Sequence, residues 1–162
     1  MAEKFTISRL FNAPRQKVWD AWTKPELLVQ WFGPKGTRAT AVTADIQPGG
    51  MLHSYMDAPD GGRLWAKFVY RELVPPSRLV YEHSFSDPQA NIAGSPFSPN
   101  WPRVLLTTVT FEEEGAGTRM RLHQVPLRAN AAQRAEFIAA IDSMHGGWGG
   151  SFDELDEFLA AG

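Results

Sequence analysis

The C-terminal segment decides the fold, and its residues 130–161 read NAAQRAEFIAAIDSMHGGWGGSFDELDEFLAA. Large apolar side chains recur in it at three- and four-residue spacing, with acidic residues between them. This period is typical of an amphipathic helix that buries one continuous stripe. Asn130 is a suitable N-cap, and good helix formers follow from Ala131. The stripe consists of Phe137, Ile138, Ile141, Met144, Trp148, Phe152, Leu155 and Leu159.

The sequence pattern before this helix predicts mostly antiparallel strands. Apolar and polar residues alternate, and short turn signals such as Pro48-Gly49-Gly50 and Glu114-Gly115-Ala116-Gly117 separate the segments. Because short connections join neighbouring strands as hairpins, we expect a meander. The predicted strands span residues 3–12, 37–47, 50–57, 63–74, 78–86, 103–113 and 117–125.

Two short helices are predicted after the first strand. Pro14 occupies the first helical position, where its missing N–H costs nothing, and Val18, Trp19 and Trp22 share one face. Leu27, Leu28 and Trp31 form the second helix, which Gly33-Pro34 ends.

The connection over residues 86–102 is unusually long and contains four prolines. A loop of this length is either functional or disordered. Since Phe97 and Trp101 favour burial, we expect a flap over one end of the sheet, with an inert insertion as the alternative.

These elements predict an α+β fold in a single domain over residues 1–162. A curved antiparallel sheet of six to seven strands would wrap round the long C-terminal helix, and the two short helices would plug one end. This arrangement leaves a gap between sheet and helix that side chains or a ligand must fill.

The composition excludes several classes of protein. No cysteine is present, which excludes a disulfide scaffold, a thiolate nucleophile and a Cys-ligated zinc site. The net charge is −2 and the basic residues are scattered, so we expect no nucleic-acid partner. No stretch approaches the roughly 18 apolar residues of a membrane span, and no signal peptide is recognisable. We therefore expect a cytoplasmic protein without a membrane partner.

Three motifs together resemble a known family. They are the segment from Phe11 to Thr23 with the following Trp31-Phe32-Gly33-Pro34, the Pro48-Gly49-Gly50 turn, and Gly147-Trp148 with the apolar stripe after it. In this order they are similar to the family named for the activator of the heat-shock-protein ATPase (Aha-type), within the START-like superfamily of the birch-pollen allergen and polyketide cyclases. The resemblance covers nearly the whole chain and implies a helix-grip fold with a hydrophobic cavity. It implies no universal catalytic residue.

The sequence departs from that family at two places. Gln47 stands before the Pro-Gly-Gly turn where members usually have Arg, and four glycines surround Trp148 where members tend to show one. Each glycine costs roughly 1 kcal/mol against Ala in a helix interior. We expect the helix to break or kink at Gly146, Gly147, Gly149 and Gly150, with close packing against the sheet as the alternative.

Alternation along the strands predicts the cavity wall. Leu79, Tyr81, His83 and Phe85 share the more apolar face of their strand, and the even-numbered residues from Leu64 to Tyr70 do the same. In residues 50–57, Leu52, Ser54 and Met56 should face inward, which leaves His53 and Tyr55 on the outer face. A bulge would exchange the two faces. The predicted ligand-binding residues are Trp31, Leu52, Met56, Phe68, Tyr70, Tyr81, His83, Phe85, Met120, Met144 and Trp148.

His83 is the polar residue of most interest, because a buried histidine needs a hydrogen-bond partner. It would orient a ligand, act as a base, or be a core residue bonded to Tyr70, Tyr81 or Ser54. The histidines lack the short spacing of a local metal-ligand pair, and Gly-x-Ser-x-Gly is absent. We predict no metal site, no cofactor and no catalytic residue, except His83 if the protein is an enzyme.

The sequence favours binding of a small hydrophobic or aromatic molecule between the sheet and the C-terminal helix, by a non-enzymatic carrier or sensor. A cyclase, isomerase or hydrolase using His83 with a tyrosine in the same cavity is one alternative, and a chaperone ATPase-activating module is another. The eukaryotic activators work with an additional N-terminal domain, for which we expect no room, so a chaperone partner is not expected. Edge strands and the Phe97–Trp101 loop offer surfaces for a homodimer.

Overall fold

Seven antiparallel strands form one sheet in the computed structural model, which describes residues 4–33 and 36–161, in the spatial order β1-β7-β6-β5-β4-β3-β2. The strands are β1 (Phe5–Phe11), β2 (Arg38–Ala44), β3 (Met51–Asp57), β4 (Arg63–Val74), β5 (Arg78–Phe85), β6 (Val104–Glu114) and β7 (Gly117–Leu127). The helices are α1 (Arg15–Thr23), α2 (Pro25–Leu28), α3 (Ala131–Ala139) and α4 (Ile141–Ala161). The predicted α+β helix-grip fold is confirmed. Residue 3 and Pro34, at the ends of two predicted elements, lie outside the described residues.

The meander from β2 to β7 follows from the short turns, and β1 completes the sheet by pairing with β7. The register shifts between Ala41 and Thr43 in β2, and between Tyr70 and Glu72 in β4. Such irregularities bend a strand and increase its twist, so they help to curve the sheet.

No register shift interrupts the described pairing of β3 with β4, and the predicted alternation of β3 holds. His53 stacks on Trp65 at a ring-centroid distance of 4.8 Å, and the tilted Tyr55 ring contacts Trp65 at 4.9 Å, whereas Met56 faces the concave side. The neighbouring loop covers His53, whose Nε2 lies 3.1 Å from the Asp87 carbonyl oxygen.

The C-terminal segment forms two helices rather than one. Asn130 caps α3 as predicted, because its side chain accepts from the Gln133 backbone N–H and the Gln133 side chain accepts from the Asn130 backbone N–H. The chain leaves the helix at Ala140 and resumes at Ile141. The predicted break at the four glycines is wrong, since α4 runs through them without interruption.

The helix α4 packs along β1 at one edge of the sheet. Its buried residues Phe152, Leu155 and Leu159 belong to the core, and the Phe152 ring meets Phe11 edge-on at 6.1 Å. Arg9 of β1 holds the exposed side of α4 through ion pairs of 2.7 and 3.1 Å with Asp153 and Asp156. The apolar stripe, not these part-exposed ion pairs, supplies most of the attachment energy.

The helix α1 covers another part of the concave face, against β6 and β7. Trp19 meets Phe111 edge-on at 5.5 Å, and the Trp22 indole N–H points at the Met120 sulfur 3.1 Å away. Among the described residues, no helix is long and apolar enough to cross a membrane.

Replacing Gly146 by alanine should stabilise the protein. A Cβ built at Gly146 meets no atom within 4 Å, so the substitution removes the helix penalty of glycine without a clash. We expect the free energy of unfolding to rise by about 0.5–1 kcal/mol in urea denaturation.

Gly50→Ala is the matched control, because its Cβ would lie 2.0 Å from the Asp45 carbonyl oxygen. We expect this variant to be destabilised. A loss of stability in Gly146→Ala would contradict the open, helical surroundings of that glycine.

Candidate functional site

A cavity of about 530 Å³ lies between the concave face of the sheet and the C-terminal helices. Its volume is within the range of about 300–1,000 Å³ that small-molecule sites occupy. The sheet contributes Met56, Leu64, Ala66, His83, Phe85 and Leu105. The two C-terminal helices and the turn between them contribute Glu136, Ala140, Ser143, Met144, Gly147, Trp148 and Ser151, and the loop before β6 contributes Ser95, Phe97, Ser98, Trp101, Pro102 and Arg103.

Trp148 stands between the cavity and the packed core. Its ring stacks on Trp22 at 6.3 Å and meets Phe32 edge-on at 5.7 Å. The Trp148 indole N–H donates to Gln124 Oε1 over 3.3 Å, and Gln124 Nε2 donates to Thr107 Oγ1 over 3.1 Å. Gln124 and Thr107 are buried at 1% and 0% exposure. This buried chain of hydrogen bonds fixes the orientation of the Trp148 ring at the cavity wall.

His83 lies on the sheet side of the cavity. The Phe68 ring meets it edge-on at 4.8 Å, and the Tyr81 ring lies 6.1 Å away. The side chain is partly open to the cavity, but Nδ1 is fully buried and has no hydrogen-bond partner among the described residues. Burial lowers the pKa of His83 from 6.5 to about 4, so the imidazole is neutral at physiological pH.

The expected hydrogen bond between His83 and a tyrosine is not formed. The hydroxyl groups of Tyr70 and Tyr81 are also buried without a partner, and burial raises the pKa of both phenols. Neither tyrosine hydroxyl therefore orients or polarises the imidazole in this structure.

The mouth of the cavity is formed by the long loop and α3. Phe97 is 77% exposed and meets Phe85 edge-on at 6.2 Å, so an apolar ring lies at the rim. The Ser98 hydroxyl donates to the Glu136 carboxylate, and Trp101 packs on Phe137 at 5.8 Å. These contacts attach the loop to α3.

The structure brings together five of the predicted ligand-binding residues on the cavity wall: Met56, His83, Phe85, Met144 and Trp148. It places Trp31, Leu52, Phe68, Tyr70, Tyr81 and Met120 in the core instead. Rings from α1 and the segment after α2 cover some of them: Trp22 contacts Met120, and Phe32 lies edge-on to Phe68 at 5.5 Å.

Sequence reasoning missed several wall residues. Phe32 borders the cavity, whereas the adjacent Trp31 points into the core and donates its indole N–H to the Ala21 carbonyl oxygen. Alternation also indicates which way Gln124 faces, on the same side of β7 as Met120 and Leu122. Its hydrogen bonds to Thr107 and Trp148 could not be predicted, because no local sequence pattern links these residues to Gln124.

Within residues 4–33 and 36–161, no cluster of three His, Asp or Glu side chains could hold a metal ion.

Comparisons with known proteins place the chain in a family. The profile of the family described as "Activator of Hsp90 ATPase homolog 1-like protein" matches residues 12–160. A solution NMR structure from Arthrobacter aurescens is similar, with 25% identity and a TM-score of 0.82, over 99% of this chain and 88% of that chain. The crystal structure of protein Ms6760 from Mycobacterium smegmatis has 24% identity and a TM-score of 0.78, over 96% and 90%. No curated protein matches the chain.

The buried, neutral His83 should make folding sensitive to mild acid. The unfolded chain binds a proton below about pH 6.5, whereas folded His83 does so only near pH 4, so the unfolded state binds more protons between these values. The free energy of unfolding should therefore fall as the pH falls through this window. We expect His83 to account for roughly 1–2 kcal/mol between pH 7.5 and pH 5, measured by urea denaturation.

His83→Leu removes this contribution, and its stability should fall less over the same interval. Desolvation also lowers the pKa of His123, which is present in both proteins and cancels from the comparison. Equal losses of stability in the two proteins would show that His83 is not held neutral by burial.

Proposed function

Because the chain belongs to the Activator of Hsp90 ATPase homolog 1-like family, whose fold encloses a cavity in this structure, we propose that it binds a small apolar or aromatic molecule in that cavity without chemical conversion. The observation that carries the proposal is the cavity of about 530 Å³ between sheet and helices. Its wall is mostly carbon, with Phe32, Phe85, Met144, Trp148 and Leu105 among the lining side chains. Apolar walls with few polar groups are typical of small-molecule sites.

Binding alone is favoured over catalysis by the state of His83. A general base works best when its pKa is near the working pH and an adjacent group orients it. The pKa of His83 is lowered by burial to about 4, and no protein group bonds its Nδ1. A neutral imidazole without an orienting partner is better suited to contact a ligand than to act as a general base.

Chaperone activation would rest on the family's description alone. The cavity supports small-molecule binding from the chain's own geometry, and we therefore prefer it.

The affinity should be moderate. Burying about 300 Å² of apolar ligand surface gives roughly 7 kcal/mol before costs, and association costs at least about 4 kcal/mol. The surplus of about 3 kcal/mol alone corresponds to a millimolar dissociation constant, so micromolar affinity requires a larger buried area or polar contacts with the cavity wall.

Binding can be tested with N-phenyl-1-naphthylamine, an uncharged aromatic probe whose fluorescence rises in apolar surroundings. The wild-type protein should bind it in a saturable manner. Gly147→Leu should weaken binding at least about tenfold, because Gly147 borders the cavity and has open space beside it for the new side chain.

Gly146→Leu is the matched control, since Gly146 lies next along α4, has open space as well, and does not border the cavity. It should bind the probe like wild type. Equal weakening in both variants, or no saturable binding to wild type, would refute the cavity as the binding site. Native mass spectrometry of gently purified protein would show whether it carries a bound small molecule from the cell.

A further inference from the structure

His83 differs from the other polar residues that line the cavity. Gln124 uses its amide group to bond Thr107 and Trp148, and Glu136 accepts a hydrogen bond from Ser98. Among the described residues that line the cavity, His83 alone has a buried polar side-chain atom without a partner. A buried polar group without a hydrogen bond costs free energy, and such groups are rare.

The residues around His83 pack against its ring but give its Nδ1 atom no hydrogen bond. Phe68 packs edge-on against the ring at 4.8 Å, and Leu105 is its neighbour on β6. A neutral imidazole has one N–H donor and one acceptor nitrogen, and no described residue bonds the Nδ1 atom. The His83 ring borders the cavity, so a molecule in the cavity can supply this partner once a turn of the ring brings Nδ1 within reach.

The charged side chains that line the described cavity lie in the loop before β6 and on α3, not on β4 or β5. The two charged lining residues among those described are Arg103, which donates to the Ile92 carbonyl oxygen of the loop over 3.0 Å, and Glu136 on α3. No charged side chain lines the cavity beside His83 on the inner face of β4 and β5. An ionised ligand group placed there would lose its hydration without a counter-charge, which is strongly unfavourable.

We propose that the ligand is an uncharged, mainly apolar molecule that carries a hydroxyl group, and that His83 binds this hydroxyl. A hydroxyl both donates and accepts, so it fits a neutral imidazole in either tautomer. This inference rests on the proposed function, and it adds the polar group of the ligand and the residue that selects it.

Three naphthalenes of matched shape test the proposal by displacing N-phenyl-1-naphthylamine: 2-naphthol, 2-methylnaphthalene and 2-naphthoate. The decisive quantity is the affinity for 2-naphthol relative to 2-methylnaphthalene. We expect this ratio to be roughly fivefold higher in wild type than in His83→Leu, as for one neutral hydrogen bond. His83→Gln, which can still donate and accept, should restore part of the difference. In wild type, 2-naphthoate should bind at least about tenfold more weakly than 2-naphthol.

The outcomes separate the two claims. If all three compounds displace the probe but the affinity for 2-naphthol relative to 2-methylnaphthalene is the same in wild type and His83→Leu, the role of His83 is overturned. The cavity then remains the binding site. If 2-naphthoate binds as tightly as 2-naphthol, the requirement for an uncharged ligand is overturned. If wild type binds neither the probe nor any naphthalene, the proposed function itself fails.

Discussion

One helix is too narrow to cover the concave face of a sheet of this width. Seven strands spaced by about 4.8 Å span roughly 30 Å, whereas a helix with its side chains is about 10–12 Å across. The helix α4 packs along β1, and α1 packs against β6 and β7. The remaining face, formed by inward residues of β3, β4 and β5, is separated from the C-terminal helices by the cavity. The empty space is therefore a consequence of the architecture, and its size depends on which side chains are large.

Aromatic side chains fill part of this space and leave the rest open. Phe68 stacks on Tyr81 at 4.2 Å, and Trp22 meets Trp31 edge-on at 4.9 Å, which closes the region under α1. Trp148 marks the boundary of this packed region. Because Gln124, which itself donates to Thr107, accepts the indole N–H, the ring cannot turn into the cavity without leaving the buried Gln124 carbonyl oxygen unsatisfied. The packed core and the open cavity are thus separated by one hydrogen-bonded side chain.

The sequence predicted the strands, the two short helices after β1 and the inward sets of β3, β4 and β5, because alternation and turn residues are local signals. It predicted less of the cavity wall. Alternation identifies which residues face inward, but not which of them are then covered by residues distant in sequence, as Phe32 covers Phe68. The position of the helix break was also missed. Propensity places a break at the glycines, whereas the chain departs from the helix at Ala140.

The four glycines need another explanation, because α4 runs through them without interruption. Close packing does not explain them, since a Cβ at Gly146, Gly147, Gly149 or Gly150 would meet no atom within 4 Å. They cost the helix roughly 1 kcal/mol each relative to alanine. At Gly147 the bare backbone borders the cavity, so a larger side chain there would take up space that a ligand could use. The residue that lowers helix stability at this position thus also keeps volume open in the cavity.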